Sequence, residues 1–194
     1  MAKNDNKRAH ILQKGMDIMY EKGYNSTGIQ EIVNVAGIPK GSFYNYFESK
    51  EDFAIQAINM YTANNKQFIC DILDDKSMKP TQRVMKLYTT FANFFAQKEY
   101  KLGCFNLNLC QEMADVNIKI ATSLDHSLKV LKEPLTKCLR EAYESGDLDN
   151  SQDVEMLSEF IYNSWGGAIV RMKASKNAEP LNAFLSILDK VLLK

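Results

Sequence analysis

Proline and glycine are scarce in this chain, and neither sign of charge predominates. The 194 residues include only 4 Pro and 9 Gly, which argues against a fibrous or low-complexity protein. Lys and Arg together number 24, as do Asp and Glu, so the formal net charge is zero. A neutral balance counts weakly against a protein that coats nucleic acid by bulk attraction, although it leaves room for a local basic face.

Long apolar runs are also lacking. No segment approaches the ~20 apolar residues that a membrane-spanning helix needs, and the longest candidate, residues 165–170, contains two glycines. No apolar stretch of signal-peptide length follows the N-terminal residues. We therefore expect a cytoplasmic protein that makes no contact with a membrane.

Few side chains are available as metal ligands or nucleophiles. The two histidines stand alone and none of the four cysteines is in C-x-x-C spacing, whereas a structural zinc site needs four ligands at short spacings. No G-x-S-x-G elbow, P-loop or dinucleotide glycine fingerprint is present. We expect no metal, no cofactor, reduced thiols and no enzymatic activity. A redox enzyme built on Cys104 and Cys110 is the alternative from another class.

Apolar residues recur every three or four positions along nearly the whole chain, and alternating strand patterns are missing. This periodicity predicts an all-α protein of about nine helices. The first helix is expected to end at Gly23, since glycine readily takes a positive φ. Thr27 and Gln30 have the spacing of a capping box that opens the second helix. The pattern predicts a compact three-helix unit at 1–47, which a long fourth helix joins to a larger helical body at 48–194.

The second and third predicted helices are short and are joined by a glycine-containing turn, which makes them a helix-turn-helix candidate. The later helix of such a pair has the right width for the major groove of DNA. Here it starts near Lys40, which supplies charge to a phosphate, and Gly41, whose backbone allows close approach. Phe43 and Phe47 are expected in the core. The candidate DNA-binding residues are Thr27, Lys40, Gly41, Ser42, Tyr44, Asn45, Tyr46 and Lys50. An ordinary helical hairpin with a solvated polar face is the alternative.

These residues resemble a known signature. The segments 23–27, 36–47 and 49–51, with Ile32 between them, are similar to the N-terminal signature of TetR (tetracycline-repressor-type) transcriptional regulators. The resemblance implies a homodimeric, ligand-responsive repressor with a DNA-binding domain at 1–47 and a ligand-binding and dimerisation domain in the remainder. It also implies that two helix-turn-helix units enter successive major grooves about 34–36 Å apart on a pseudo-palindromic operator. A scaffold of the same fold that binds DNA but acts through a protein partner is the alternative.

Two adjacent glycines interrupt the predicted eighth helix. Gly166 and Gly167 each cost roughly 1 kcal/mol against alanine, and close approach of another helix backbone would offset that cost. The resemblance implies that the eighth and ninth helices form a four-helix dimer interface. The candidate dimerisation residues are Phe160, Gly167, Met172, Phe184 and Leu188. Relief of crowding within one monomer, or a position beside a ligand cavity, is the alternative for the glycines.

Aromatic residues of the larger body are candidates to line a pocket for a small-molecule inducer. The candidate ligand-binding residues are Phe91, Cys104, Asn108, Tyr162 and Trp165. Plain core packing is the alternative for such an aromatic stripe.

Cys104 has additional features. It follows Gly103 at the expected start of the sixth helix, after Lys98 and Lys101, and a thiol at a helix N-terminus near cations has a lowered pKa. The segment 103–105 resembles a TetR subgroup that senses electrophiles or oxidants through a cysteine at this place. The resemblance therefore implies an electrophile or oxidant as inducer; a small buried filler is the alternative.

Overall fold

The computed structural model describes residues 2–149 and 153–194. The elements are α1 (Ala2–Lys22), α2 (Ile29–Val35), a 3₁₀ helix (Lys40–Asn45), α3 (Lys50–Leu73), α4 (Pro80–Gln97), α5 (Phe105–Met113), α6 (Ile118–Glu144), α7 (Val154–Ser175), α8 (Glu179–Ile187) and a π-helical turn (Leu188–Leu192). No strand occurs in the described ranges, and the all-α prediction is confirmed. None of the described helices is long and apolar enough to cross a membrane.

The predicted third helix is a 3₁₀ helix. Its i→i+3 geometry appears in the bonds from the Ser42 N–H to the Pro39 carbonyl at 2.9 Å and from the Tyr46 N–H to the Phe43 carbonyl at 3.0 Å. Short helical connectors of this length often take the 3₁₀ form. The predicted fourth to ninth helices correspond to α3–α8.

The chain forms two compact units. The first unit comprises Met1–Thr62 and Phe105–Ser127, and the second comprises Ala63–Cys104 and Leu128–Lys194. The first unit therefore contains α5 and the start of α6 in addition to the helix-turn-helix segment. The functional boundary near residue 47 stays a prediction, because these units are defined by packing alone.

Three phenylalanines lie at the centre of the first unit. Phe43, Phe47 and Phe53 are almost fully buried. The ring centroid of Phe47 lies 5.2 Å from that of Phe43 and 4.9 Å from that of Phe53. Burial of a phenylalanine side chain contributes about 1.5–3 kcal/mol. The expectation that Phe43 and Phe47 fill the core is confirmed, and their burial fixes the 3₁₀ helix against α3.

The turn between α1 and α2 differs in part from expectation. Gly23 ends α1 with φ +86°, as predicted. The prediction of a capping box formed by Thr27 and Gln30 is wrong. The Thr27 hydroxyl donates instead to the Gly23 carbonyl at 2.7 Å, the N-cap of α2 is Gly28, and the Gln30 amide donates to Asn34. The hydroxyl is thus used to close the preceding turn.

A buried arginine connects three helices of the second unit. The Arg83 side chain is 1% exposed and donates to the Leu73 carbonyl at 2.5 Å and to the Glu141 carboxylate at 2.8 Å. The hydrogen bonds from Arg83, followed by those from Lys76, lower the pKa of Glu141 to about 2. Arg83 therefore satisfies a carbonyl at the C-terminal end of α3 while its charge is balanced by α6.

Candidate nucleic-acid interface and ligand site

The 3₁₀ helix presents polar side chains to solvent. Lys40, Gly41 and Asn45 are exposed, and Tyr44 retains 58% of its surface. Ser42 and Tyr46 are half-buried at the edges of this surface. Since Phe43 and Phe47 hold the segment from the inside, the exposed groups have a rigid support. An ammonium, a backbone N–H and a phenol are all donors that suit phosphate oxygens.

Lys50 is held over an aromatic ring. Its Nζ lies 4.1 Å from the centroid of the Tyr24 ring, which is a cation–π contact. Burial lowers the pKa of Lys50, and the nearby Glu112 carboxylate opposes that effect. The Lys50 ammonium, a candidate contact for a DNA phosphate, is therefore held in place at the N-terminal end of α3.

Thr27 is not available to contact DNA. Its side chain is fully buried and its hydroxyl is occupied by the Gly23 carbonyl. A short side chain enclosed in this way has no surface to offer a phosphate. Thr27 is therefore corrected from a candidate DNA contact to a residue that supports the turn before α2.

Two carboxylates that the sequence did not suggest connect the helix-turn-helix segment to later parts of the first unit. Glu112 on α5 accepts the backbone N–H groups of Tyr24 at 3.3 Å and Asn25 at 3.0 Å. Glu51 accepts the Asn117 amide at 2.7 Å, and it also accepts the Lys119 ammonium at 2.9 Å. These partners are 66 to 88 residues apart in sequence, so no local pattern could have paired them.

The candidate ligand residues are divided between the units. Phe91 and Trp165 lie together in the second unit, with stacked rings whose centroids are 6.3 Å apart. Tyr162 is half-buried on the same helix as Trp165, whereas Asn108 belongs to the first unit. Cys104 is half-buried and directly precedes α5, so it lies one residue before the helix that it was expected to start.

Trp165 is embedded among other rings. It is 6% exposed, and its centroid lies 5.1 Å from that of Tyr88, 5.0 Å from that of Phe184 and 6.3 Å from that of Phe95. Burial raises the pKa of Tyr88 well above its ordinary value. These contacts make Trp165 part of the core of the second unit, and a ligand there would have to replace aromatic contacts.

A buried polar cluster lies in the first unit. The Asn106 amide donates to the Ser127 hydroxyl at 2.5 Å, and Ser127 also contacts the Thr62 hydroxyl. The Asn106 carbonyl oxygen has no hydrogen-bond partner among the described residues, although the residue is fully buried. An unsatisfied buried acceptor costs about 1–3 kcal/mol, so a donor that reached it would be bound favourably.

The candidate dimerisation residues separate into two groups. Phe160 and Gly167 are exposed on α7. Met172 and Leu188 are fully buried and Phe184 is 8% exposed, all within the core of the second unit. These three side chains have almost no surface to give a partner, so they are corrected to core residues of the second unit.

One face of α7 and the C-terminal end from Ile187 onward carry exposed apolar side chains instead. A β-carbon at Gly167 would meet no atom of the described chain within 4 Å. The exposed apolar residues that belong with Phe160 and Gly167 are Met156, Val170, Ile187 and Val191. On α7 these positions follow one another at helical spacing from 156 to 170, which is the pattern of a helix-packing stripe. Sequence periodicity missed them because this part of the chain is apolar on more than one face.

An all-helical fold with a short exposed polar helix fixed on a small aromatic core has the arrangement of a helix-turn-helix DNA-binding protein. The chain matches the family model "Bacterial regulatory proteins, tetR family" over residues 11–57 and the model "Tetracyclin repressor-like, C-terminal domain" over residues 80–188. The chain belongs to the TetR family of transcriptional regulators.

Relatives that match this chain over nearly their whole length are named as transcriptional repressors. It is 32% identical to the HTH-type transcriptional repressor DhaR of Mycobacterium sp. strain GP1, covering 96% of this chain and 92% of that protein. Identity to the HTH-type transcriptional repressor NemR of Escherichia coli K12 is 26%, covering 95% and 93%.

Solved structures give the same result. A TetR regulatory protein from Rhodobacter sphaeroides superposes with a TM-score of 0.86 at 30% identity, covering 93% of this chain and 95% of that one. The reduced form of E. coli NemR superposes with a TM-score of 0.90 at 26% identity, covering 96% of each chain. The fold, the family and the class of function are thus those of a ligand-responsive repressor.

Proposed function

We propose that this protein is a homodimeric repressor whose 3₁₀ helix enters the major groove of a pseudo-palindromic operator. The observation that carries the proposal is the exposed polar surface of Lys40, Gly41, Tyr44 and Asn45, supported by the buried Phe43. Two such surfaces, one from each subunit, would contact half-sites about 34–36 Å apart.

The groups on this surface suit different parts of DNA. Lys40, Tyr46 and the Gly41 N–H are donors for phosphate oxygens, and Lys50 supplies a second ammonium from the start of α3. Asn45 has an amide that can pair with the edge of adenine in the major groove. Residues 1–50 hold 7 Lys and Arg against 5 Asp and Glu, so affinity should come from these placed contacts more than from bulk attraction.

Selection of duplexes from a random DNA library tests the proposal without a known operator. We expect an enriched palindrome with half-site centres about 10 base pairs apart. Lys40→Ala should weaken binding about equally for all sequences, whereas Asn45→Ala should relax preference at one position of each half-site. Lys98→Ala removes an exposed lysine of the second unit and serves as the control. Enrichment of no sequence would contradict the proposal.

The dimer should form through the exposed stripe of α7 and the residues after α8. A stripe that includes Phe160, Val170 and Val191, all at least 43% exposed, matches the apolar core of an interface between subunits. The open space at Gly167 would let a partner helix approach closely. Sedimentation at micromolar concentration should give a dimer, and a stable monomer would contradict this assignment.

Release from DNA is assigned to a small hydrophobic or electrophilic ligand, with Cys104 as the candidate reactive group. Among the cysteines, Cys138 is buried and its pKa is raised to about 11, and burial also raises the pKa of Cys70. Both are therefore poor nucleophiles, which leaves Cys104 and Cys110. The cation that precedes Cys104, Lys101, forms an ion pair with Glu99.

The release assignment is tested by adding N-ethylmaleimide or hypochlorite to the protein bound to its selected duplex. Wild type should dissociate and Cys104→Ser should stay bound, whereas Cys70→Ser should respond as wild type does. An equal response of wild type and Cys104→Ser would end the role of Cys104. If Cys104→Ser and Cys110→Ser both stay bound to the duplex after treatment, both thiols take part in release.

A further inference from the structure

The turn between α1 and α2 is fixed by a carboxylate from a distant helix. Glu112 on α5 accepts the N–H groups of two successive residues, Tyr24 at 3.3 Å and Asn25 at 3.0 Å. We call this arrangement the Glu112 cap. Hydrogen bonds to an ionised acceptor are about twice as strong as neutral ones, so the cap is a charge-assisted tie between α5 and this turn.

Tyr24 connects the Glu112 cap to a candidate DNA contact. Its backbone N–H is bound by Glu112 while its ring lies 4.1 Å beneath the Lys50 ammonium. Its carbonyl accepts the Thr27 N–H at 3.2 Å, which closes the turn. The Tyr24 backbone is therefore held by the cap while its ring contacts the Lys50 ammonium, and the Glu112 carboxylate also acts on that ammonium through its charge.

The start of α3 has a second tie to the same later segment. Glu51, the residue after Lys50, accepts from Asn117 and Lys119 just beyond α5. Lys50 thus lies between the ring of Tyr24, whose N–H is bound by Glu112, and the carboxylate of Glu51, which is bound by Asn117 and Lys119. All of these residues belong to the first unit.

We propose that Glu112 is a positioning residue for DNA binding, which acts through Tyr24 to fix the Lys50 ammonium where it neutralises an operator phosphate. The inference rests on the proposed function, since it requires that Lys50 contacts DNA. It adds that a shift of α5 changes phosphate binding directly, by moving the support of one lysine. A purely structural cap would instead affect only folding.

The salt dependence of operator binding distinguishes these roles. Each phosphate neutralised contributes about 0.9 to the slope of log affinity against log salt. Lys50→Met should therefore reduce the slope by about 2 in a dimer, because each subunit then neutralises one phosphate fewer. Glu112→Asp keeps the charge but shortens the reach by one methylene. It should weaken operator binding several-fold and reduce the slope by the same amount as Lys50→Met.

A double variant and a matched control complete the experiment. Glu112→Asp combined with Lys50→Met should bind with the slope and affinity of Lys50→Met alone, because both changes remove the same lysine–phosphate interaction. Glu21→Asp makes the same chemical change at an exposed carboxylate of α1 in the first unit and should leave the slope unchanged. Tyr24→Leu keeps the N–H that Glu112 binds but removes the ring, so it should reproduce the slope of Lys50→Met even if Glu112→Asp does not fold.

The outcomes separate the inference from the function on which it rests. If the wild type selects no operator, the proposed function fails. If the wild type binds and Lys50→Met reduces the slope, but Glu112→Asp and Tyr24→Leu keep the wild-type slope, the positioning role of Glu112 is overturned. Loss of thermal stability in Glu112→Asp with an unchanged slope would likewise assign Glu112 a structural role only.

Discussion

The Glu112 carboxylate occupies the space that a side chain at Gly23 would need. A β-carbon built at position 23 would overlap with Glu112 Oε1. Gly23 also has φ +86°, a conformation that side chains rarely adopt. Two independent requirements therefore favour glycine at the end of α1, one from the backbone and one from the neighbouring carboxylate.

Substitution of two glycines separates these requirements. Gly37 has φ +66° but nothing within 4 Å of a β-carbon, so Gly37→Ala should cost only the left-handed strain of about 1–2 kcal/mol. Gly23→Ala should cost at least about 1 kcal/mol more, because Glu112 must give up charge-assisted hydrogen bonds. Urea unfolding measures both. Equal losses of stability for the two variants would show that the carboxylate moves aside freely.

A charge placed on the exposed stripe of α7 should dissociate the dimer. Val170→Glu places a carboxylate at a position that is 43% exposed and lies one helical turn from Gly167. An interface at this surface would bury that charge without a partner. Sedimentation equilibrium should then give a monomer at concentrations where the wild type is a dimer. Val116→Glu, at an exposed valine of the first unit, is the matched control and should remain dimeric.

Acid should weaken the second unit through Glu141. Its pKa in the folded protein is about 2, below the ordinary 4.5, so its contribution is fully present above about pH 5 and is lost as the pH falls toward 2. Glu141→Gln should destabilise the protein by about 1–3 kcal/mol at pH 7, and the difference from wild type should shrink by pH 3. Glu179→Gln removes an exposed carboxylate and controls for net charge. A difference that stays constant with pH would contradict the assignment.

Cys138 should resist alkylation while the protein is folded. Its side chain is 2% exposed and its pKa is raised to about 11, so only about one molecule in ten thousand carries the thiolate at pH 7. Mass spectrometry after brief treatment with N-ethylmaleimide should find Cys138 unmodified, and treatment in guanidinium should modify all four cysteines. Rapid modification in the native protein would show that α6 opens locally.

Features set by neighbours in sequence were predictable. A glycine after an amphipathic helix predicts a positive φ, and Gly23 has one. The apolar positions around the 3₁₀ helix predict an internal face, and Phe43 and Phe47 are buried. The helix-turn-helix candidate followed from such local rules, because turn chemistry and helical period act over a few residues. The class of protein followed instead from the resemblance of residues 23–51 to the TetR signature.

Features decided by competing partners, by several apolar faces of one helix or by residues distant in sequence were not predictable. The spacing of Thr27 and Gln30 suits a capping box, yet the Thr27 hydroxyl is taken by a nearer carbonyl. Periodicity also could not choose between Met172 and Val170 on α7, since that helix is apolar on several faces; the first is fully buried and the second is exposed. Glu112 has no sequence signal at all, because its partners at the first turn are 87 and 88 residues away.

The grouping of α5 with the helix-turn-helix segment bears on the exchange of DNA-reading modules between regulators. A chimera joined near residue 47 would separate Tyr24 from the Glu112 that binds its N–H, and a recipient protein would have to supply an equivalent carboxylate. Transplanting residues 1–62 together with 105–127 would keep the first unit intact. The compact unit that contains the helix-turn-helix segment is thus discontinuous in sequence, and an exchange of only the N-terminal quarter would leave the segment without the Glu112 contact.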